Sequence, residues 1–162
     1  RVDAQKNYRR LVNIHKKLID DGYKIQTFII GDGIEKQELE ELVKENKNVD
    51  SFKFLGRKDN PFPYVKNADL FVLSSIYEGL PTVLYESIIA GTPCITTDVA
   101  GANEILDNKY GVVVENNDEA LYIGIKQLLD NKELLNKYKE NLKYYKFDKQ
   151  DIIKKVEKIL DN

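Results

Sequence analysis

The strongest constraint in this sequence is a run such as Leu70–Leu73 (LFVL), a short apolar strand without a polar face. Side chains of a strand alternate between two faces, so a strand that is apolar on both must be covered on both. The segments around it supply the cover. Tyr8, Leu11, Val12, His15, Leu18 and Ile19 recur at helical spacing in a helix expected over Ala4–Asp21, and Gly22 stands where a helix stop belongs. Strand Lys24–Ile30 follows, closed by Gly31-Asp32-Gly33, then helix Ile34–Glu45 and strand Ser51–Leu55 running into Gly56-Arg57-Lys58. A short helix at Tyr64–Asn67 precedes Leu70–Leu73. Next come helix Pro81–Ala90 with Gly91 as its stop, strand Cys94–Thr97, a small helix at Ala102–Leu106 and strand Gly111–Val114. From Asp118 the chain reads as helical to its end, with an interruption near Phe147-Asp148. Strands and helices in alternation imply right-handed βαβ units, hence an α/β fold: a parallel sheet with helices on both faces.

In such sheets ligands bind beyond the carboxyl ends of the strands. The loops there are Gly31 to Gly33, Gly56 to Lys58, Ser74 to Thr82 and Asp98 to Gly101. Composition narrows what they can do. A net charge of −2 offers no electrostatic ground for binding nucleic acid or an anionic membrane. No apolar run approaches the roughly 20 residues that span a bilayer, and no signal peptide is visible. The single cysteine, Cys94, excludes an internal disulfide framework and fits a reducing cytoplasm. With one His and one Cys, a structural zinc site would lack its usual ligands, and no metal is expected. At 162 residues the chain has the size of one domain; having no methionine and opening at Arg1, it is expected to be a piece of a longer one.

The segment Glu78–Cys94 (EGLPTVLYESIIAGTPC) carries the most chemistry. Pro81 suits a first helical turn, where its missing N–H is no loss. The N–H groups of Thr82 and Val83 then point from the helix start toward a possible phosphate, and Gly79 permits close approach. An ordinary strand–loop–helix connection would look the same. Glu86, one turn beyond Thr82 and flanked by apolar residues, is expected on a mostly covered helix. A carboxylate there needs partners, and the vicinal hydroxyls of a ribose would serve; a glutamate favoured by the helix dipole is the plainer reading. Glu78 sits at a strand's carboxyl end, facing ligand or only solvent. His15, on the apolar side of its helix, reads as a satisfied core histidine, and Cys94 as core packing. Tyr138, Tyr144, Tyr145 and Phe147 read as helix packing rather than a stacking platform, since no basic groove surrounds them.

The two glutamates spaced E-x7-E around Gly-Leu-Pro resemble the motif of retaining glycosyltransferases of the GT-B fold, in particular family 4 (the group 1 family). Further matches run along the chain: Arg1 to Asn7, Ile30 to Gly33, Phe54 to Gly56, Ala68 to Ser75, Ala90 to Pro93 and Gly101 to Glu104. The resemblance implies a Rossmann-like domain over 1–162, the C-terminal donor-binding half of a GT-B fold lacking its first strand, with the N-terminal acceptor domain absent. It implies a retaining hexosyltransferase, inactive as a fragment, that takes a nucleotide-diphosphate sugar, UDP-linked, without a metal. The acceptor would be a glycan or a lipid-linked glycan, reached through the missing domain, in bacterial capsule, lipopolysaccharide or related surface polysaccharide synthesis. The expected location is cytoplasmic, with the full-length protein peripheral at the inner face of the membrane. The alternative is a non-catalytic nucleotide-binding module on the same scaffold.

Carried over residue by residue, Arg1 and Lys6 would meet the donor diphosphate, together with the segment Gly79, Leu80, Thr82 and Val83. Glu86 would hold the ribose, and Arg57 and Lys58 would border the base. Glu78 is the catalytic candidate, facing the sugar hydroxyls near the reacting carbon, as a group that positions the sugar and stabilises positive charge rather than as a nucleophile. Leu80-Pro81-Thr82 departs from the Phe-Gly that many relatives carry there.

Overall fold

A computed structural model describes residues 1–146, 148 and 150. The chain divides into two compact units, Arg1–Pro61 and Phe62–Asn162.

In the first unit a 3-10 turn, Ala4–Lys6, leads into α1, Tyr8–Asp20, followed by β1 (Thr27–Ile30), α2 (Lys36–Glu45) and β2 (Phe52–Gly56). The single helix expected over Ala4–Asp21 is therefore broken. Asn7 adopts φ 48° and ψ 50°, the left-handed region that asparagine tolerates, and its side chain caps the Arg10 N–H at 3.4 Å. β1 and β2 pair in parallel, with an irregularity between Ile29 and Ile30.

The second unit runs α3 (Phe62–Lys66), β3 (Phe71–Leu73), α4 (Thr82–Ala90), β4 (Cys94–Thr97), α5 (Ala102–Leu106), β5 (Gly111–Val114), α6 (Asp118–Asp130) and α7 (Lys132–Lys143). Its three strands form a parallel sheet in the order β3-β4-β5. All four residues of β4 are buried, and their neighbours show why. Cys94 belongs to a core cluster with Leu84 and Ile88 of α4 and Ile105 and Leu106 of α5. Ile95, the next residue, turns to the opposite face, where its Cδ1 lies 2.7 Å from where a Cβ on Gly124 of α6 would stand. Val113 and Val114 of β5 divide in the same way, Val113 toward the α4–α5 cluster and Val114 toward Gly124. Helices on both faces account for strands without alternation.

The long helix expected from Asp118 is also broken, at Asn131. That residue leaves the helical region (φ −106°, ψ 80°) and its Oδ1 accepts the Leu134 N–H at 2.9 Å, so it ends α6 and caps α7. α7 ends at Lys143, and Tyr145, Lys146 and Asp148 are not helical, in keeping with the interruption expected near Phe147-Asp148; Phe147 itself, and the helix beyond Gln150, lie outside the described residues.

Candidate functional site

In the second unit, the carboxyl ends of the three strands are tied together by side chains. Thr97, the last residue of β4, donates from Oγ1 to the Ser75 carbonyl at 2.7 Å, and both residues are fully buried. Ser75 in turn donates from Oγ to Oε1 of Glu78 at 2.6 Å, short as expected of a hydroxyl held by a carboxylate. Asn116, just after β5, donates from Nδ2 to the Ile76 carbonyl at 2.7 Å and lies 3.4 Å from the carbonyls of Ser75 and Asp98. Glu78 is half-buried at this junction. A Cβ on Gly79 would meet no atom within 4 Å, so the protein leaves open space beside Glu78.

Beyond Gly79 the chain makes a tight turn. Pro81 has φ −78° and ψ 70°, and the Thr82 N–H donates to the Leu80 carbonyl at 2.8 Å across it, the signature of an inverse γ-turn. Two expectations change here. Pro81 caps α4 instead of opening its first turn, and the Thr82 N–H is already occupied. The Leu84 N–H goes to the Pro81 carbonyl at 2.9 Å, which leaves Val83 as the amide of this first turn that the local backbone does not take up.

Glu86 is not on a covered face. Helical spacing places Thr82, Glu86 and Ile89 along one exposed stripe of α4, while Leu84, Tyr85, Ser87 and Ile88 face the core. The apolar neighbours of Glu86 in sequence are its neighbours around the helix, not over it, so the carboxylate carries no burial penalty in this structure. Gly91 ends the helix as expected, at φ 85°, with the Thr92 N–H returning to the Ser87 carbonyl at 3.0 Å.

The predicted residues of the first unit surround a different turn. Gly31 takes φ 135° and donates its N–H to the Gly56 carbonyl at 2.9 Å, and the Val2 N–H donates to the Asp32 carbonyl at 3.0 Å. A Cβ on Gly33 would stand 2.1 Å from the Val2 carbonyl oxygen, so only glycine allows the N-terminal segment to lie against this turn. Asp32 joins the pieces: Oδ1 pairs with Lys36 Nζ at 2.7 Å and Oδ2 accepts the Arg57 N–H at 2.8 Å. The Lys36 hydrogen bond, with that from the Arg57 amide, holds the Asp32 carboxyl below its ordinary range. Arg1 and Arg57 are thus attached to one turn. Arg1 is exposed and its Nε lies 3.4 Å from Asp3 Oδ2; Lys6 is half-buried on the 3-10 turn and its N–H is capped by the Asp3 carbonyl at 3.0 Å. Lys58 is half-buried beside the exposed Arg57.

The sequence reading missed Ser75, Thr97, Asn116 and the linking role of Asp32. Ser75 and Asp32 stand in segments that match the family pattern and Thr97 ends a predicted strand, but nothing in the one-dimensional pattern singles them out. Of the residues set aside, His15, Cys94, Tyr138 and Tyr145 behave as read, while Tyr144, expected in helix packing, stands exposed just past the end of α7. His15 is 1% exposed, with Nδ1 2.9 Å from Thr27 Oγ1 and Nε2 2.9 Å from Ser51 Oγ, and burial lowers its pKa to about 4. Cys94 is fully buried, which pushes its thiol up to about 12. Tyr138 is buried and Tyr145 meets Tyr110 edge to face at 5.4 Å, which is packing; Phe147 lies outside the described residues. Among the described residues no group of three or more His, Cys, Asp or Glu side chains is placed to hold a metal, and no helix is long and apolar enough to cross a membrane.

Residues 1–145 match the family described as glycosyl transferases group 1. The chain is 32% identical over 146 residues to a Campylobacter jejuni enzyme named as an N-acetylgalactosaminyltransferase acting on a diphospho-undecaprenol-linked saccharide. That match covers 88% of this chain and 39% of the relative. A match of 29% identity to an Escherichia coli UDP-galactose:GlcNAc-diphosphoundecaprenol galactosyltransferase covers 91% of this chain and 38% of that one. The chain therefore spans about two fifths of the length of these curated relatives. Among solved structures, the Anabaena protein HepE in complex with UDP superposes with a TM-score of 0.81 at 17% identity, covering 99% of this chain and 46% of that one. WaaG, a glycosyltransferase of lipopolysaccharide biosynthesis, gives 0.80 at 25% identity, covering 97% of this chain and 43% of that one.

Proposed function

The chain belongs to the group 1 glycosyl transferases, and from that premise we propose that it is the donor-binding half of a retaining enzyme of glycosyltransferase family 4. In this reading it takes a UDP-linked sugar and serves transfer of a hexosyl unit to a glycan or lipid-linked acceptor in bacterial surface polysaccharide synthesis. The observation that carries it is the Glu78–Glu86 segment: a half-buried carboxylate fixed by Ser75 beside open space at Gly79, then a helix start with the Val83 amide and an exposed Glu86 one turn on. Relatives that act on diphospho-undecaprenol-linked saccharides, and like-folded proteins bound to UDP, support the same reading.

Glu86 accepts hydrogen bonds from two ribose hydroxyls, which an exposed carboxylate can do without first losing a protein partner. The Gly79–Val83 segment meets the diphosphate, Val83 through its amide. Arg1 and Lys6, a planar fork and a point charge, neutralise the leaving diphosphate in place of a metal. Arg57 and Lys58 border the base. Glu78 faces the sugar hydroxyls and stabilises positive charge developing at the ring. The acceptor is held by a domain outside these 162 residues, which completes the cleft and without which the chain binds donor but does not turn over. The working location is the cytoplasm, with the full-length protein peripheral at the inner membrane face.

The test is UDP titration by calorimetry, with amide shifts followed over residues 78–86. Glu86→Ala should weaken UDP by roughly tenfold to a hundredfold, the worth of hydrogen bonds to a charged acceptor. A wild-type protein whose 78–86 amides ignore millimolar UDP and other nucleoside diphosphates would refute the donor-site reading.

A further inference from the structure

The strand-end network contains a feature that helix capping and loop closure do not require: a fully buried serine whose hydroxyl is directed at a half-buried carboxylate. Ser75 is constrained at both of its polar groups. Its carbonyl accepts from Thr97 Oγ1 at 2.7 Å and its Oγ donates to Glu78 Oε1 at 2.6 Å. Ser75 and Thr97 are both 0% exposed, so neither side chain has solvent as an alternative partner. The next peptide is held as well, since Asn116 Nδ2 donates to the Ile76 carbonyl at 2.7 Å. Each anchor comes from a different strand end: Ser75 follows β3, Thr97 closes β4 and Asn116 follows β5. A carboxylate has two oxygens related by rotation about its terminal bond, and a donor fixed on one of them sets the plane of both.

We propose that Ser75 is the positioning residue of Glu78, with Thr97 and Asn116 holding Ser75 and Ile76 in place, so that the frame sets the carboxylate plane presented to the donor sugar. This rests on the donor-site reading, in which Glu78 faces the sugar. Ser75 does not touch the substrate; it acts through Glu78. The frame therefore affects recognition of the sugar and leaves recognition of the nucleotide alone. A serine that merely stabilised the loop would weaken both together.

The experiment measures affinities for UDP and for UDP-linked glucose, galactose and their N-acetylamino forms, using the protein in its full form. The wild type should bind the best of these sugars more tightly than UDP, and the ratio is the readout. Ser75→Ala should lower that ratio about tenfold, the scale of one lost hydrogen bond to a charged group, with UDP affinity within about twofold of wild type. In a Glu78→Gln background the further effect of Ser75→Ala should shrink below about twofold, because the group it orients has been changed. Asn116→Ala, at an exposed position, gives a second route if Ser75→Ala fails to fold: the ratio should fall in the same direction by about threefold. An unchanged ratio in a folded Ser75→Ala protein, or in Asn116→Ala where the first is unfolded, overturns the inference. So do effects of Ser75→Ala and Glu78→Gln that simply multiply. A wild type that binds none of the probes overturns the donor reading itself; one that binds UDP without gaining from any sugar removes the role of Glu78 and this inference with it.

Discussion

Acidification from pH 7 to 4 should remove about 3 kcal/mol of stability through one residue, His15. The imidazole is 1% exposed between two hydroxyls, Thr27 Oγ1 and Ser51 Oγ, each at 2.9 Å, with the Phe52 ring edge-on at 5.2 Å. Both hydroxyls can accept as well as donate, so protonation breaks no hydrogen bond. What opposes it is burial, which lowers the pKa from 6.5 to about 4. In the unfolded chain His15 takes up its proton near 6.5, while the folded protein refuses it down to about 4. Stability from keeping the ring neutral is thus complete above pH 6.5 and is lost as pH falls toward 4. The difference of about 2.5 pKa units, at 1.36 kcal/mol each, gives roughly 3 kcal/mol. Carboxylates titrate over part of this range, so the assay compares urea unfolding of wild type with His15→Gln between pH 7 and 4. The stability difference between the two proteins should narrow by about 3 kcal/mol on going to pH 4. His15 is the only histidine, so its ring proton signal in the native protein can be followed without assignment ambiguity. A native ring that titrates near 6.5, or a stability difference flat with pH, would sink the argument.

Two further outcomes follow from packing. Gly111→Ala would place a Cβ 2.0 Å from the Cys94 carbonyl oxygen, backbone against backbone, so β4 and β5 must separate; a loss of about 3 kcal/mol and a clear drop in Tm are expected, and a thermal melt that does not move would show the strands less closely held. Cys94, fully buried with its thiol pushed up to about 12, should not react with a disulfide reagent at pH 8 until denaturant opens the core. Labelling of the native protein within minutes would contradict that burial.

The α/β architecture was legible because it depends on patterns local in sequence. LFVL and GVVV lack alternation since helices cover both faces, and β1, β2 and β5 fall where short apolar runs meet Gly31, Gly56 and Gly111. The helix breaks at Asn7 and Asn131 were not legible: asparagine in a polar helical stretch looks like any surface residue until its backbone leaves the helical region. Glu86 was misplaced for a related reason. Ile88 and Ile89 follow it in sequence, yet Ile88 is buried and Ile89 is exposed, and only the packing of α4 decides which stripe is covered. Thr97 and Asn116 were invisible because their bonds join residues 22 and 40 apart, and Ser75, though only three residues from Glu78, is one of two adjacent serines that the sequence does not tell apart. No spacing rule links a serine after one strand to an asparagine after another.

Pro81 has a consequence for how the proposed site would divide its work. Proline lacks its own N–H, and its ψ of 70° also commits the Thr82 N–H to the Leu80 carbonyl. A helix start gains its hold on an anion from several amides converging on it with the dipole behind them. Here the Leu84 amide is also turned inward, to the Pro81 carbonyl, so α4 offers Val83 alone from its first turn. One amide contributes less than a charged group, and hydrogen bonds from cations to phosphate are about twice as strong as neutral ones. In the proposed reading the α4 start is therefore a weak holder of the diphosphate, and the segment contributes chiefly the exposed Glu86 and the half-buried Glu78. The Leu-Pro-Thr sequence then reads as a turn that commits its amides to its own backbone, leaving neutralisation of the diphosphate to charged side chains.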